Sequence, residues 1–175
     1  NEHTRAILVT NPGNPTGVVL SPEEMRLIAD IAKEHGLFLI SDEVYREFVY
    51  GGEPLASMAQ FDDAAENVVV VDSISKRFSA CGARVGILVS RNRELMAQAL
   101  KICQGRLCAA TLDQLGAAAL YGVGSDYFSA VREEYHRRRD TCMEGLSQIP
   151  GVVCECPKGA FYLMAKLPVD DTDKF

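Results

Sequence analysis

Blocks of apolar residues alternate with amphipathic stretches through the first half of the chain. The alternation predicts strand and helix by turns. Ala6–Thr10 is a short apolar strand, followed by the turn-rich residues 11–17. In Ser21-Pro22-Glu23-Glu24 the serine sits as a helix N-cap, Pro22 takes the first helical position and Glu24 closes a capping box. Met25, Ile28, Ala29 and Ala32 then recur at helical spacing, and Gly36 stops the helix. Residues 37–41 and 68–71 are continuous apolar runs. Their lack of alternation predicts strands buried on both faces, as in a parallel sheet. Residues 85–90 predict another strand. This β-α-β rhythm argues for an α/β fold, a mostly parallel sheet flanked by helices.

The second half changes character. Residues 93–104 and 112–121 read as helices, and 126–149 as a long one with Phe128, Val131, Tyr135, Cys142, Leu146 and Ile149 on or near one side. Residues 151–155 and 160–165 then predict two strands joined through Pro157-Lys158-Gly159. The expected division is a large α/β domain over 1–125, a connecting helix over 126–150 and the beginning of a small α+β domain over 151–175. The acidic, polar end from residue 168 reads as the entry to a further element. The opening residues read as the lead into a strand already inside a fold, and they lack an initiator methionine. The chain is expected to be a piece of a longer protein.

Composition narrows the partners. With 175 residues there is enough chain for a real core. The net charge of −6, with no basic patch to offset it, argues against nucleic acid and anionic membrane as partners. Arg132, Arg137, Arg138 and Arg139 share their stretch with Glu133, Glu134 and Asp140, which predicts a solvated, ion-paired helix face. No apolar run has the length of a membrane span. The six cysteines form no Cys-x-x-Cys pair and the three histidines are not spaced as ligands with them, so no metal site is expected. Free thiols point to a reducing cytoplasm.

Chemistry concentrates around Lys76. The run Val-Val-Val-Val-Asp-Ser-Ile-Ser-Lys (68–76) carries a buried strand straight into a Ser-x-Ser-Lys turn, and Arg84 follows in Ala-Arg-Val-Gly. A lysine at the mouth of a buried strand is held in place and partly desolvated. Desolvation disfavours the ammonium, so the amine becomes a nucleophile toward an aldehyde. Two hydroxyls and an arginine suit a phosphate dianion. Together they point to pyridoxal phosphate. Two more polar clusters follow strands: residues 11–17, and Asp42-Glu43-Val44-Tyr45. In an open α/β sheet the carboxyl ends of the strands line the ligand crevice, so the three clusters are expected to converge.

Asn-Pro-Gly-Asn-Pro-Thr-Gly (11–17), Asp-Glu-Val-Tyr (42–45), Ser-x-Ser-Lys (73–76) and Arg-x-Gly (84–86) resemble, in order and spacing, the motif set of class I/II aminotransferases. These are fold type I pyridoxal-phosphate enzymes of which aspartate aminotransferase is the best known. Pro-Lys-Gly-Ala-Phe-Tyr (157–162) is similar to the family's entry into its small domain. The resemblance implies a transaminase acting on an α-amino acid and a 2-oxo acid, usually as a homodimer. It implies that Lys76 forms the Schiff base and later moves the substrate proton. Asp42 would face the pyridine nitrogen, and Tyr45 and Asn14 the phenolic oxygen. Ser73, Ser75 and Arg84 would hold the phosphate.

The family also carries a phosphate-binding small-residue loop and a stacking ring ahead of the position of Asn1, and a carboxylate-gripping arginine beyond Phe175. The chain alone is therefore expected to have little or no activity. Two alternatives stay open: a lyase or carbon–carbon bond-forming enzyme of the same fold, and a non-catalytic domain that keeps it. A nicotinamide-binding domain is disfavoured, because the Gly-x-Gly-x-x-Gly turn is missing.

Overall fold

The computed structural model describes residues 1–51, 55–171 and 173. Four strands form the main sheet, β1 (Ala6–Thr10), β2 (Phe38–Asp42), β3 (Val68–Ser73) and β4 (Gly86–Ser90), side by side in chain order. The first three run parallel, with Thr10 opposite Asp42 and Asp42 opposite Val71. β4 returns antiparallel, with Ser73 opposite Gly86. The mostly parallel α/β sheet expected from the sequence is present.

Helix α1 (Pro22–Glu34) crosses between β1 and β2 and begins with the predicted capping box: Ser21 Oγ accepts the Glu24 N–H, and Glu24 Oε2 accepts the Ser21 N–H at 2.7 Å. Such a cap contributes about 1 kcal/mol. Its buried stripe, Met25, Ala29 and Ala32, packs on Leu39, Val68 and Val70 to make the main core. The other sheet face differs from expectation. β3 is buried throughout most of its length, but Leu8 and Phe38 are exposed. Of the described helices, α3 (Arg93–Gly105) flanks this face, where Leu95, Ala99 and Ile102 line a groove with Val69, Val71 and Leu88. Continuous apolar sequence therefore marks burial on both faces for β3 but not for β2.

Beyond α2 (Ile74–Arg77) and α3 come α4 (Thr111–Leu120) and the long α5 (Ser125–Ser147). Ile74 and Phe78 pack on Ala117, Leu120 and Phe128, which ties the Lys76 turn to both helices. The basic cluster on α5 is only partly solvated. Arg137 and Arg138 pair with Glu134 as expected. Arg139 pairs with Asp140 but lies mostly buried, donates to the Pro157 carbonyl at 3.1 Å and sits 5.0 Å from the Tyr50 ring centroid.

The strand predicted over 160–165 is not formed. β5 (Val153–Cys154) pairs antiparallel with β6 (Ala165–Lys166), and the segment between them folds back over the sheet edge. Its backbone bonds elsewhere: the Lys158 and Gly159 N–H groups both donate to the Gly17 carbonyl at 2.9 Å, the Tyr50 N–H donates to Lys158 O at 2.9 Å, and the Ala160 N–H donates to Phe48 O at 2.8 Å. Ala160 has φ +56°, which breaks any strand there. All six cysteines are free thiols. Among the described residues no helix is long and apolar enough to cross a membrane, and no cluster of His, Cys, Asp and Glu is placed to hold a metal. Residues 172, 174 and 175 of the acidic end lie outside the described residues.

Two measurements test this docking. Gly17 has φ +69°, and a Cβ there would lie 2.2 Å from Pro157 Cβ. Gly17→Ala is expected to cost about 2–4 kcal/mol in denaturant unfolding. Gly36→Ala, at φ +60° with open space around it, should cost only about 1 kcal/mol. Equal costs would mean that the contact with Pro157 contributes nothing. Tyr50 donates its hydroxyl to Ala160 O at 2.5 Å, and burial pushes its pKa up to about 12 from 10.0. Between those values the unfolded chain has lost the proton and the folded one keeps it, so stability falls as pH rises. Tyr50→Phe should flatten that fall by up to about 1.4 kcal/mol per pH unit.

Candidate active site

The parallel register brings three polar clusters to one edge. Strands neighbour each other at about 4.8 Å, so the ends of β1 and β3 lie about 10 Å apart with Asp42 between them. Asp42 is half-buried; its Oδ1 accepts the Val44 N–H at 3.1 Å, which sets the turn leading to Tyr45. Tyr45 is buried among Phe48, Phe161 and Tyr162, and its hydroxyl oxygen lies 2.5 Å from that of Tyr162. Burial, the Tyr162 hydrogen bond and nearby Asp42 all push the Tyr45 phenol well above its usual range, while a hydrogen bond from the Asn14 side chain opposes them. Tyr45 is therefore a neutral hydrogen-bond donor at ordinary pH, and exposed Asn14 reaches the same oxygen.

Lys76 sits in the α2 turn, half-buried, with Nζ 5.7 Å from the Phe161 ring centroid. Ser73 caps that turn: its Oγ accepts the Ser75 N–H at 3.1 Å and lies 2.8 Å from Ser75 Oγ and 3.0 Å from Val85 O. Much of the Ser73 hydroxyl is thus committed to the backbone. Arg84 lies beyond the turn in a left-handed conformation, φ +56°, exposed, with Nη1 donating to Cys81 O at 3.0 Å. Arg84 makes no hydrogen bond to Ser73 or Ser75 among the described residues. Asn14 and Asp42 thus lie close to Tyr45, Lys76 and Tyr45 meet the same Phe161 ring, and Arg84 is exposed.

The sequence profile of the family described as aminotransferase class I and II matches residues 1–175. The chain belongs to that family. It is 38% identical over 165 residues to a protein named probable aspartate/prephenate aminotransferase from Aquifex aeolicus, covering 93% of this chain and 42% of that one. It is 34% identical over 163 residues to the aspartate aminotransferase of Bacillus subtilis, with the same coverage. The solved aspartate aminotransferase of Thermotoga maritima superposes with a TM-score of 0.86 at 31% identity, covering 98% of this chain and 44% of that one. The chain spans 42% of the length of those two curated relatives.

Class I and II aminotransferases depend on pyridoxal phosphate. The donor set at the sheet edge fits that group. It offers an amine for an aldehyde, a carboxylate for a pyridinium, a neutral phenol and an amide for a phenolic oxygen, and hydroxyls with a guanidinium for a phosphate.

Charged residues around these groups are committed to each other. Asp72 accepts from the Ser73 N–H at 2.7 Å and from Arg77 Nη2 at 2.7 Å, and Arg77 Nε lies 3.3 Å from Glu47 Oε1. Burial pushes the Asp72 carboxyl up, against the pull of the Ser73 N–H and Arg77. Glu43 Oε1, buried, accepts from Ser41 Oγ, Ser57 Oγ and the Met58 N–H, and Arg46 lies 3.4 Å from its other oxygen. Lys76, Asp42 and Arg84 have no ion-pair partner among the described residues.

The motifs give Arg77 and Glu43 no chemistry, and they place Phe161 and Tyr162 in the entry to the small domain without a role at the site. A signal for Arg77 exists. Asp72 ends a buried strand, a buried carboxylate needs a cation, and Arg77 is within reach on the next turn. Arg77 also bridges to Glu47, on the segment that carries Asp42 and Tyr45. Arg77→Ala is expected to cost about 3–5 kcal/mol in unfolding free energy by stranding Asp72. Arg77→Met combined with Asp72→Asn should recover most of that loss. A double variant as unstable as Arg77→Ala would show that the loss is packing, not charge.

Proposed function

We propose that this chain is the lysine-bearing part of an aspartate aminotransferase-like enzyme, which moves an amino group between an α-amino acid and a 2-oxo acid. The observation that carries the reading is the charge sorting at the sheet edge. The acids and bases around the site pair with each other, and those left over are Lys76, Asp42 and Arg84. The names of the relatives support the aspartate-like substrate class.

When bound, pyridoxal phosphate supplies an electron sink for the charge left at the substrate α-carbon. Lys76 Nζ would hold the cofactor through its aldehyde carbon. The free amine would take the proton from the substrate α-carbon and return one, as a general base and then a general acid. Asp42 would hold a proton on the pyridine nitrogen. Tyr45 and Asn14 would hydrogen-bond the phenolic oxygen. Ser75 and Arg84 would bind the phosphate, with Ser73 shaping the turn and adding its hydroxyl. Phe161 lies beside the amine and limits water around it.

The reading extends to the whole protein as a cytoplasmic homodimer. Residues 1–125 contribute to its cofactor-binding domain, 126–150 form the connector, and 151–175 begin the small domain.

The test uses the full-length protein loaded with pyridoxal phosphate. Borohydride should fix the cofactor on the peptide that contains Lys76. Lys76→Ala should lose both the label and transamination, a drop of about 10⁴-fold or more. Aspartate and a 2-oxo acid should yield a new amino acid and a new 2-oxo acid. Release of ammonia or of a cleaved side chain would replace the transaminase reading with a lyase. Label on another lysine would remove Lys76 from its role.

A further inference from the structure

We propose that Phe161 is a positioning residue that holds the positive charge on Lys76, its ring face standing where an ion pair would otherwise be needed. The inference rests on the reading of Lys76 as the base and gives Phe161 an electrostatic part in it. In that reading the Nζ lone pair takes the proton from the substrate α-carbon, and the electron pair of the broken C–H bond stays with the substrate. Nζ is then an ammonium until it gives a proton back. Lys76 is half-buried, and a charge drawn partly out of water needs a partner.

The carboxylates nearby are engaged elsewhere. Asp72 pairs with Arg77, which also reaches Glu47. Glu43 accepts three hydrogen bonds and lies beside Arg46. Among the described residues Lys76 Nζ has neither an ion pair nor a hydrogen bond, with Asp42 or with any other. What stands against it is the Phe161 ring, with Nζ over the ring 5.7 Å from the centroid. A ring's negative face attracts a cation out to roughly 6 Å.

The ring is held in that place. Tyr45 and Phe48 meet it nearly at right angles, at 5.1 and 5.2 Å between centroids, and Tyr135 of α5 stacks on it at 5.3 Å. The preceding residue is tied down by the Ala160 N–H, which donates to Phe48 O. Phe161 cannot turn from the amine without breaking that cluster. The weakness of the attraction suits the task. A carboxylate in contact would draw the ammonium several times more strongly than a ring face does. It would keep Nζ protonated, with no lone pair for an aldehyde or for the substrate proton. The ring favours the ammonium enough to strengthen the base and too little to trap the proton.

The test places mono-, di- and trifluorinated phenylalanine at position 161 of the full-length protein. Each fluorine draws charge from the ring face with little change of size, so the packing stays while the attraction fades. Trinitrobenzenesulfonate reacts with neutral amines. In the cofactor-free protein at fixed pH, its rate at the Lys76 peptide should rise in steps, by about two- to five-fold across the series. In the loaded protein, the step slowed by deuterium at the substrate α-carbon should slow in the same order, by about two-fold. Labelling that does not follow the number of fluorines overturns the proposal. So does a deuterium-sensitive step that stays constant while labelling changes, since the ring would then hold a charge that the reaction does not use. Borohydride that fixes the cofactor on another lysine sinks the reading of Lys76 as the base, and this proposal with it. A flat series with the label on Lys76 sinks the proposal alone.

Discussion

Close approach of two glycine-bearing segments organises the site more than any side-chain contact. Gly17, at the end of the loop after β1, lies against Pro157 and Gly159, and an added Cβ at Gly159 would come within 2.9 Å of Pro12, Val19 and the Phe48 carbonyl. Two backbone hydrogen bonds close the contact, and two more tie the same segment to Phe48 and Tyr50. At about 1 kcal/mol net each they are individually modest, but they act on a loop that would otherwise carry unpaired amides. Through this contact Phe161 arrives beside Lys76 and Tyr162 beside Tyr45. Residues separated by 117 positions then share a hydrogen bond.

Burying so much charge beside a sheet edge brings little stability by itself. The attraction between Asp72 and Arg77 is offset by the desolvation of both, which is why burial still raises the Asp72 carboxyl. The consequence is geometric. Arg77 touches β3 through Asp72 and the β2 loop through Glu47, so the lysine turn and the segment carrying Asp42 and Tyr45 keep one relative position. Glu43 does the same beneath the loop, with three donors on one oxygen.

Local rules wrote the parts of the fold that sequence reveals. Ser21, Pro22 and Glu24 state the start of α1 without help from the rest of the chain, and the structure forms that cap. The order of Asn14, Asp42, Tyr45, Lys76 and Arg84 is legible because the first four sit at or a few residues past the end of an apolar strand and Arg84 stands just before the next one. Residues 160–165 mislead for a physical reason. Ala-Phe-Tyr-Leu-Met-Ala is a continuous apolar run, and periodicity cannot tell a strand from a segment whose backbone is bonded to distant loops. The same long range hides Tyr162, whose partner is on another strand end. Exposure of Leu8 and Phe38 escapes notice too, since an apolar run does not say which helix will cover it.

The pairing pattern also explains how Asp42 stays available. Asp42 lies close enough for its charge to act on Asp72, and Arg77 pairs with Asp72. At 4 Å such an attraction is worth about 4 kcal/mol at an effective dielectric of 20. With its Nη2 on Asp72 and its Nε beside Glu47, Arg77 has its fork spread across those two acids. Asp42 spends one oxygen on the Val44 N–H and keeps the other. The charge that a pyridinium would meet is thus preserved by residues that need never touch it.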